Sequence, residues 1–247
     1  MKPQDEVKFF DGFVEEHGDY DVLGSGAYKR LLSRFSSLCK PRPHETCVDC
    51  GCGTGAFTRR LLRFELDLTG VDISPQSILS AQAQSTRENY MVGDITNLAM
   101  ADLSVDIVVF SGVLHHFPDS QFRNRILCEA YRVLKPGGRV FGFDPSAHSP
   151  SMWLYRSPSS PFFSKIGKTD NEVLLSRDQL RSEFAQAGFQ GISIRGAGGI
   201  TYRYVEGRLA RALLPIYNLY EELLNISPLQ NRLGTFLISF GTKSPCL

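Results

Sequence analysis

The sequence predicts an α/β fold built on a mainly parallel sheet with helices on both faces. Short apolar runs alternate with helix-period segments from Glu45 to Phe143, the rhythm of strand–helix–strand units. Val105–Phe110 is dense in Val and Ile, as a strand covered on both faces requires. The segments between strands are long enough for right-handed crossovers, which place ligands beyond the carboxyl ends of the strands.

Ahead of this unit, Val7–His17 and Ala27–Cys39 read as helices. Glu45–Cys50 is a short buried strand, Gly51–Gly55 a tight turn, and Ala56–Arg63 the helix it opens. Leu66–Asp72 is the second strand, after which Ser74 supplies an N-cap and Pro75 a first helical residue. Asn89–Val92 and Val105–Phe110 follow as strands. Between Asp119 and Leu134, Phe122, Ile126, Ala130 and Val133 recur at helical spacing, and Pro136-Gly137-Gly138 stops the helix before the fifth strand, Arg139–Phe143. The pattern breaks at Asp144. A stretch rich in Ser, Pro and aromatics, Pro145–Asp170, precedes the helix Ser176–Ala187. Two late strands, Gly191–Arg195 and Thr235–Thr242, bracket an insertion, Tyr202–Asn225. Its Val205, Leu209, Leu213, Ile216, Leu219 and Leu223 predict an amphipathic helix interrupted at Pro215. The chain reads as one domain over 1–247, with N-terminal helices in 1–40 and cap insertions at 146–170 and 202–225.

Composition narrows the function. Lys and Arg number 27 against 26 Asp and Glu, which argues against a general attraction to nucleic acid or anionic membrane and leaves only a local basic patch. With 42% hydrophobic and 21% charged residues the chain is globular. Six Cys are too sparse for a disulfide scaffold, and Met1–Tyr20 lacks a secretory pattern, so a reducing cytoplasm is expected. No apolar stretch approaches the roughly 18 residues of a spanning helix, so a soluble protein without a membrane partner is expected.

The sharpest local signal is Val48-Asp49-Cys50-Gly51-Cys52-Gly53-Thr54-Gly55-Ala56. Gly51, Gly53 and Ala56 fit a turn that lets a nucleotide cofactor approach the backbone, and Asp72, at the end of the next strand, is placed to accept from ribose hydroxyls. Asp49 discriminates between cofactors. A carboxylate two residues before Gly51 repels the pyrophosphate of a dinucleotide but attracts the ammonium and sulfonium of S-adenosylmethionine. Asp94, after the third strand, either accepts from the adenine amino group, with Ile95 against the ring, or caps its own loop.

The stretches VDCGCGTG (48–55), VDIS (71–74), VGDI (92–95), FSGVLHHFPD (110–119) and EAYRVLKPGGRVFGFDP (129–145) resemble the class I S-adenosylmethionine-dependent methyltransferases, and among them the type 11 small-molecule enzymes. The resemblance covers roughly residues 20–145 and the final strands. It implies a Rossmann-like, seven-stranded sheet whose last strand, Thr235–Thr242, is inserted antiparallel. It also implies that Asp49, Gly51, Cys52 and Gly53 hold the methionine moiety, Asp72 and Ile73 the ribose side, and Asp94 and Ile95 the adenine, while Ser111 lines the cofactor.

His115 and His116 follow the fourth strand, where the acceptor must meet the methyl group. Either one takes a proton from a hydroxyl or amine, or they pack against the cofactor and positioning alone supplies the rate. Cys39, His44, Cys47, Cys50 and Cys52 are not expected to bind metal, because Cys47 and Cys50 lie on opposite faces of a strand. No Asn/Asp-Pro-Pro-aromatic tetrad follows the fourth strand, and the only Pro-Cys is Pro245-Cys246. Both absences count against nucleic-acid base methylation. The expected function is methyl transfer to an O, N or C atom of a small molecule. One rival, an RNA or protein acceptor, requires Arg156, Lys165, Lys168, Arg195, Arg203, Arg208 and Arg211 to cluster beside the pocket. The other is a silent cofactor-binding protein. Substrate choice is expected in the segments around Tyr20 and Tyr28, in 146–170 and in 202–225, with Trp153, Tyr155, Phe162, Phe163, Tyr202, Tyr204, Tyr217 and Tyr220 as aromatic walls.

Overall fold

The structure, a computed structural model, describes residues 7, 11–12, 14, 21–160, 171–203, 205 and 208–245. Most of the expected helix Val7–His17 lies outside these residues, as do Tyr20, Phe162, Phe163, Lys165, Lys168 and Tyr204.

In chain order the elements are α1 (Ser25–Cys39), β1 (Thr46–Cys50), α2 (Ala56–Leu61), β2 (Asp67–Asp72), α3 (Pro75–Ala83), β3 (Asn89–Val92), β4 (Val105–Ser111), α4 (Ser120–Val133), β5 (Leu134–Pro145), α5 (Pro150–Arg156), α6 (Arg177–Gln186), β6 (Gln190–Ala197), α7 (Arg208–Ile226), α8 (Gln230–Leu233) and β7 (Phe236–Thr242). The strands form one sheet in the order β3-β2-β1-β4-β5-β7-β6. β1 to β5 pair parallel, and β7 lies antiparallel between β5 and β6. The order reverses between β1 and β4, so the turn after β1 opens into the crevice at the switch point.

Strand alternation distributes the core over both faces. Val48, Cys50, Val108 and Phe110 pack in one layer with α4 and α6. Cys47, Ile107, Val109 and Phe141 pack in the other with α1 and α2. A buried ion pair joins two helices of the first layer: Arg123 of α4 contacts Glu183 of α6 at 2.5 Å.

Three elements differ from expectation. β5 starts at Leu134, because α4 ends at Val133 and Leu134 pairs with Val105 ahead of a bulge. The Pro-Gly-Gly segment is drawn into the sheet: Gly137 N–H donates to Lys243 O at 3.0 Å, and Lys243 N–H to Gly138 O at 2.9 Å. Within the expected loop, Ser149 and Pro150 open the short helix α5, with Ser149 Oγ accepting from Met152 N–H. Finally, α7 runs through Pro215 instead of breaking there. Pro215 is exposed, and tertiary hydrogen bonds beyond it, from Tyr217 Oη to Ile200 O, from Tyr202 N–H to Asn218 Oδ1 and from Ile200 N–H to Glu221 Oε2, offset the one helical bond a proline removes. Among the described residues no helix is long and apolar enough to cross a membrane.

Candidate active site

The turn after β1 is stitched to β2 by the backbone: Gly51 and Cys52 N–H both donate to Val71 O, at 2.7 and 3.0 Å. Asp72 ends β2 and accepts from Gly53 N–H at 2.8 Å through Oδ2 and from Ser74 N–H at 2.9 Å through Oδ1. Burial pushes its carboxyl above the usual range, against the pull of these N–H groups. Each oxygen keeps a lone pair for a ligand hydroxyl. Two glycines of the turn have different reasons. At Gly51 (φ +73°) a Cβ would lie 2.7 Å from Val113 Cγ2, whereas at Gly53 (φ +52°) it would meet none of the described residues within 4 Å. Gly51 is fixed by packing. Gly53 faces open space.

That space is a cavity of about 410 Å³. Gly51, Cys52, Gly53, Asp72, Ile73, Asp94, Ile95, Ser111, His115 and His116 all line it, which brings together every expected site residue except Asp49. Asp49 is fully buried beneath the turn, where Thr58 Oγ1 donates to Oδ2 at 2.7 Å and Ser111 Oγ to Oδ1 at 2.9 Å. Burial pushes its carboxyl up to about 7 despite both bonds. Asp94 lines the cavity, and its Oδ1 caps its own loop by accepting from Thr96 N–H and Oγ1, both at 2.8 Å.

A short turn after β4, the strand next to β1, presents the histidines to the same cavity. His115 is buried, with Nδ1 3.0 Å from Asp144 Oδ1, which also accepts the His115 backbone N–H at 3.1 Å. Asp144 Oδ2 is buried with no hydrogen-bond partner among the described residues. Burial first, and then the neighbouring His116, lowers the His115 pKa, and Asp144 opposes both. A neutral ring that donates Nδ1–H to Asp144 Oδ1 leaves Nε2 as an acceptor. The rings of His115 and His116 lie 4.1 Å apart. Glu172 comes beside them because Val173 N–H bonds His115 O at 2.9 Å. Ligand atoms of His115, His116 and Glu172 lie within 4.8 Å of one another, the one such trio found among the described residues. The cysteines do not converge: Cys47 and Cys50 sit in opposite core layers, and burial pushes their thiols up.

Sequence reasoning missed Asp144 and Glu172 as site residues. Asp144 had a signal, since it stands near the carboxyl end of β5 as Asp72 stands at the end of β2. Glu172 had none. Of the expected walls, Tyr28, Tyr202 and Tyr217 line the cavity; Trp153 and Tyr220 do not. On α5 the cavity takes Met152 and Arg156, one turn apart, which turns Trp153 outward to 45% exposure. Among the described basic residues expected beside the pocket, only Arg156 lines it.

Residues 48–142 match the family model of a methyltransferase domain. A demethylmenaquinone methyltransferase of Tropheryma whipplei is 32% identical over 165 residues, 60% of this chain and 68% of that protein. The chain belongs to the class I S-adenosylmethionine-dependent methyltransferases. A malonyl-acyl-carrier-protein O-methyltransferase of Serratia marcescens is 33% identical over 131 residues, 52% of this chain and 49% of that protein. The chain thus spans about half the length of that curated relative. In fold it is similar to phosphoethanolamine N-methyltransferase 2 of Haemonchus contortus, solved with S-adenosyl-L-methionine, at a TM-score of 0.62 and 18% identity over 97% of this chain and 57% of that one. The site of this methyltransferase fits the family's cofactor: open backbone at Gly53, carboxylates at Asp72 and Asp94, and apolar Ile73 and Ile95 share one cavity wall.

Proposed function

We propose that this methyltransferase moves a methyl group onto a nucleophilic atom of a small, largely apolar molecule held between His115 and the Tyr202–Tyr217 wall. The observation that carries this reading is the buried His115–Asp144 pair, with His115 lining the same cavity as the glycine turn. S-adenosylmethionine, when bound, supplies a methyl group on an already activated sulfonium. The chain then has to align the acceptor and take its proton. Gly53, Asp72, Ile73, Asp94 and Ile95 are the residues that would hold the cofactor. Asp49 acts from beneath the turn, as a negative charge complementary to an ammonium group and as the anchor of Ser111. His115 Nε2 accepts the proton of an O–H or N–H, or of a carbon acidified by its neighbours, while Asp144 holds Nδ1–H and stabilises the imidazolium.

A small acceptor is favoured over RNA or protein because Arg156 alone of the described basic candidates reaches the cavity. The test is S-adenosylhomocysteine release over a panel of phenols, hydroxyquinones and carboxylic acids, with parent, His115→Ala and Asp144→Asn proteins. We expect turnover with at least one class, falling about a hundredfold or more in both variants, at cofactor affinity within about twofold. Cofactor binding with no turnover across the panel would support a silent binding protein. Loss of affinity in His115→Ala would assign the ring to packing.

A further inference from the structure

We propose that the outer face of α7 docks the protein on an anionic lipid surface. Helix α7 is apolar on two sides. Leu213, Leu214 and Tyr217 line the cavity, whereas Leu209, Ile216, Leu219, Leu223 and Ile226 stand 65, 66, 61, 57 and 80% exposed. Together with exposed Ala212, the outer residues recur at alternating steps of three and four, which confines them to one stripe about 100° wide. Leu229, 51% exposed, lies just beyond the helix. Single exposed leucines are ordinary, but a continuous stripe marks an interaction surface.

Charge selects the occupant. Exposed Arg208 and Arg211 stand at the start of the stripe, beside Arg203, whose guanidinium lies 3.8 Å from Asp21. Exposed Arg232 stands beyond its end, where Arg177 donates to the carbonyls of Asn231 and Arg232, both at 2.8 Å. The exposed acid described on α7 is Glu222, which is paired with Arg30. A second copy is the obvious competitor, yet two-fold pairing along this stripe sets arginines against arginines. Antiparallel, the first cluster meets the second; parallel, each meets itself. An anionic bilayer satisfies both ends at once while the leucines enter the headgroup boundary. The formal net charge of +1 conceals this local asymmetry. Because the inner side of α7 walls the cavity, docking sets that wall one helix diameter, about 10 Å, from lipid. The inference does not depend on methyl transfer, since its readout is binding.

The full chain would be sedimented with phosphatidylcholine vesicles, with and without phosphatidylglycerol, at low and high salt. We expect binding to the mixed vesicles, about tenfold weaker or more with phosphatidylcholine alone or in high salt. Arg208→Gln and Arg211→Gln should each weaken it about fivefold. The double variant Leu219→Glu/Leu223→Glu should lose it, with circular dichroism and S-adenosylmethionine affinity unchanged. No binding to the mixed vesicles, or binding retained by the folded double variant, overturns the proposal. So does a concentration-dependent dimer that the double variant dissolves while the parent ignores vesicles, because the stripe then belongs to a second copy.

Discussion

The cavity has two halves that are held together differently. At the ends of β1, β2 and β3 the wall is made over a short stretch of chain: Gly53 bonds Asp72, nineteen residues away, and the turn is tied by backbone groups to Val71. In the other half, His115 is fixed by Asp144, Val173 reaches back to His115, and Tyr217 donates to Ile200 O at 3.1 Å. Backbone geometry specifies the first half and tertiary packing the second. Damage to one should therefore leave the other readable.

The largest expected effect lies at the turn. Gly53 holds φ +52° beside open space, so Gly53→Val adds both backbone strain and bulk where a ligand must approach. Cofactor affinity should fall about a hundredfold or more in calorimetry while circular dichroism is preserved. Met152→Ala, in the other half, should leave that affinity intact and alter acceptor KM instead. Equal affinity of Gly53→Val and parent would dissolve the distinction between the halves.

The same contrast explains what could be read from the sequence. Positive-φ glycines, a strand-terminal Asp72 and the Ser74-Pro75 cap leave marks at fixed spacing, since each is dictated by local backbone geometry. The five parallel strands were legible for the same reason. Glu172 was not, because one β-like contact with His115 brings it in from a segment without periodicity. Trp153 misled because aromatic content says nothing about which side of a short helix faces the cavity. Pro215 misled because the helix is tied beyond it by the Tyr217, Asn218 and Glu221 hydrogen bonds to residues 200–202, which leave no periodic mark in the sequence.

A smaller effect is expected at Asp72. Its carboxylate is placed for a charge-assisted hydrogen bond to a ribose hydroxyl, about 1.5–3 kcal/mol, so Asp72→Ala should weaken cofactor binding roughly tenfold or more. Part of any loss reflects the turn itself, because Gly53 N–H also loses its partner. Asp72→Asn, which keeps one acceptor oxygen for the turn, should recover only part of the affinity, and full recovery would show that the negative charge contributes nothing to ribose binding.

Asp49 offers a pH test of the same half. Its folded carboxyl sits at about 7, above the unfolded value, so the folded state holds the proton more tightly. This group then favours folding most at low pH, and its contribution falls as pH rises from about 4 to about 7, by about 4 kcal/mol in all. Thermal denaturation of cofactor-free protein should show that decline, and Asp49→Asn should flatten it. Cofactor affinity should run the other way and rise through pH 7, because an ammonium group favours the carboxylate. A parent whose affinity is flat across pH 6–8 would remove Asp49 from cofactor recognition.

The smallest expected change isolates the acceptor wall. Tyr217 donates to the carbonyl of Ile200, a residue only 1% exposed, and its ring lies 5.7 Å from that of Tyr202. Tyr217→Phe keeps the ring and its apolar area but leaves the Ile200 carbonyl without this donor. That costs about 1–2 kcal/mol, a drop of about 2–8 °C in Tm for a chain of this size. Because Tyr217 lines the cavity through its ring, acceptor KM should shift only about two- to fivefold, and cofactor affinity should not move. Tyr217→Ala removes the ring as well, so it should raise acceptor KM well beyond the Phe variant. If the two variants raise KM equally, the hydroxyl orders the wall. If neither raises it, the acceptor lies against Tyr28 and Tyr202 instead, and the boundary between the two halves must be redrawn on the α1 side of the cavity.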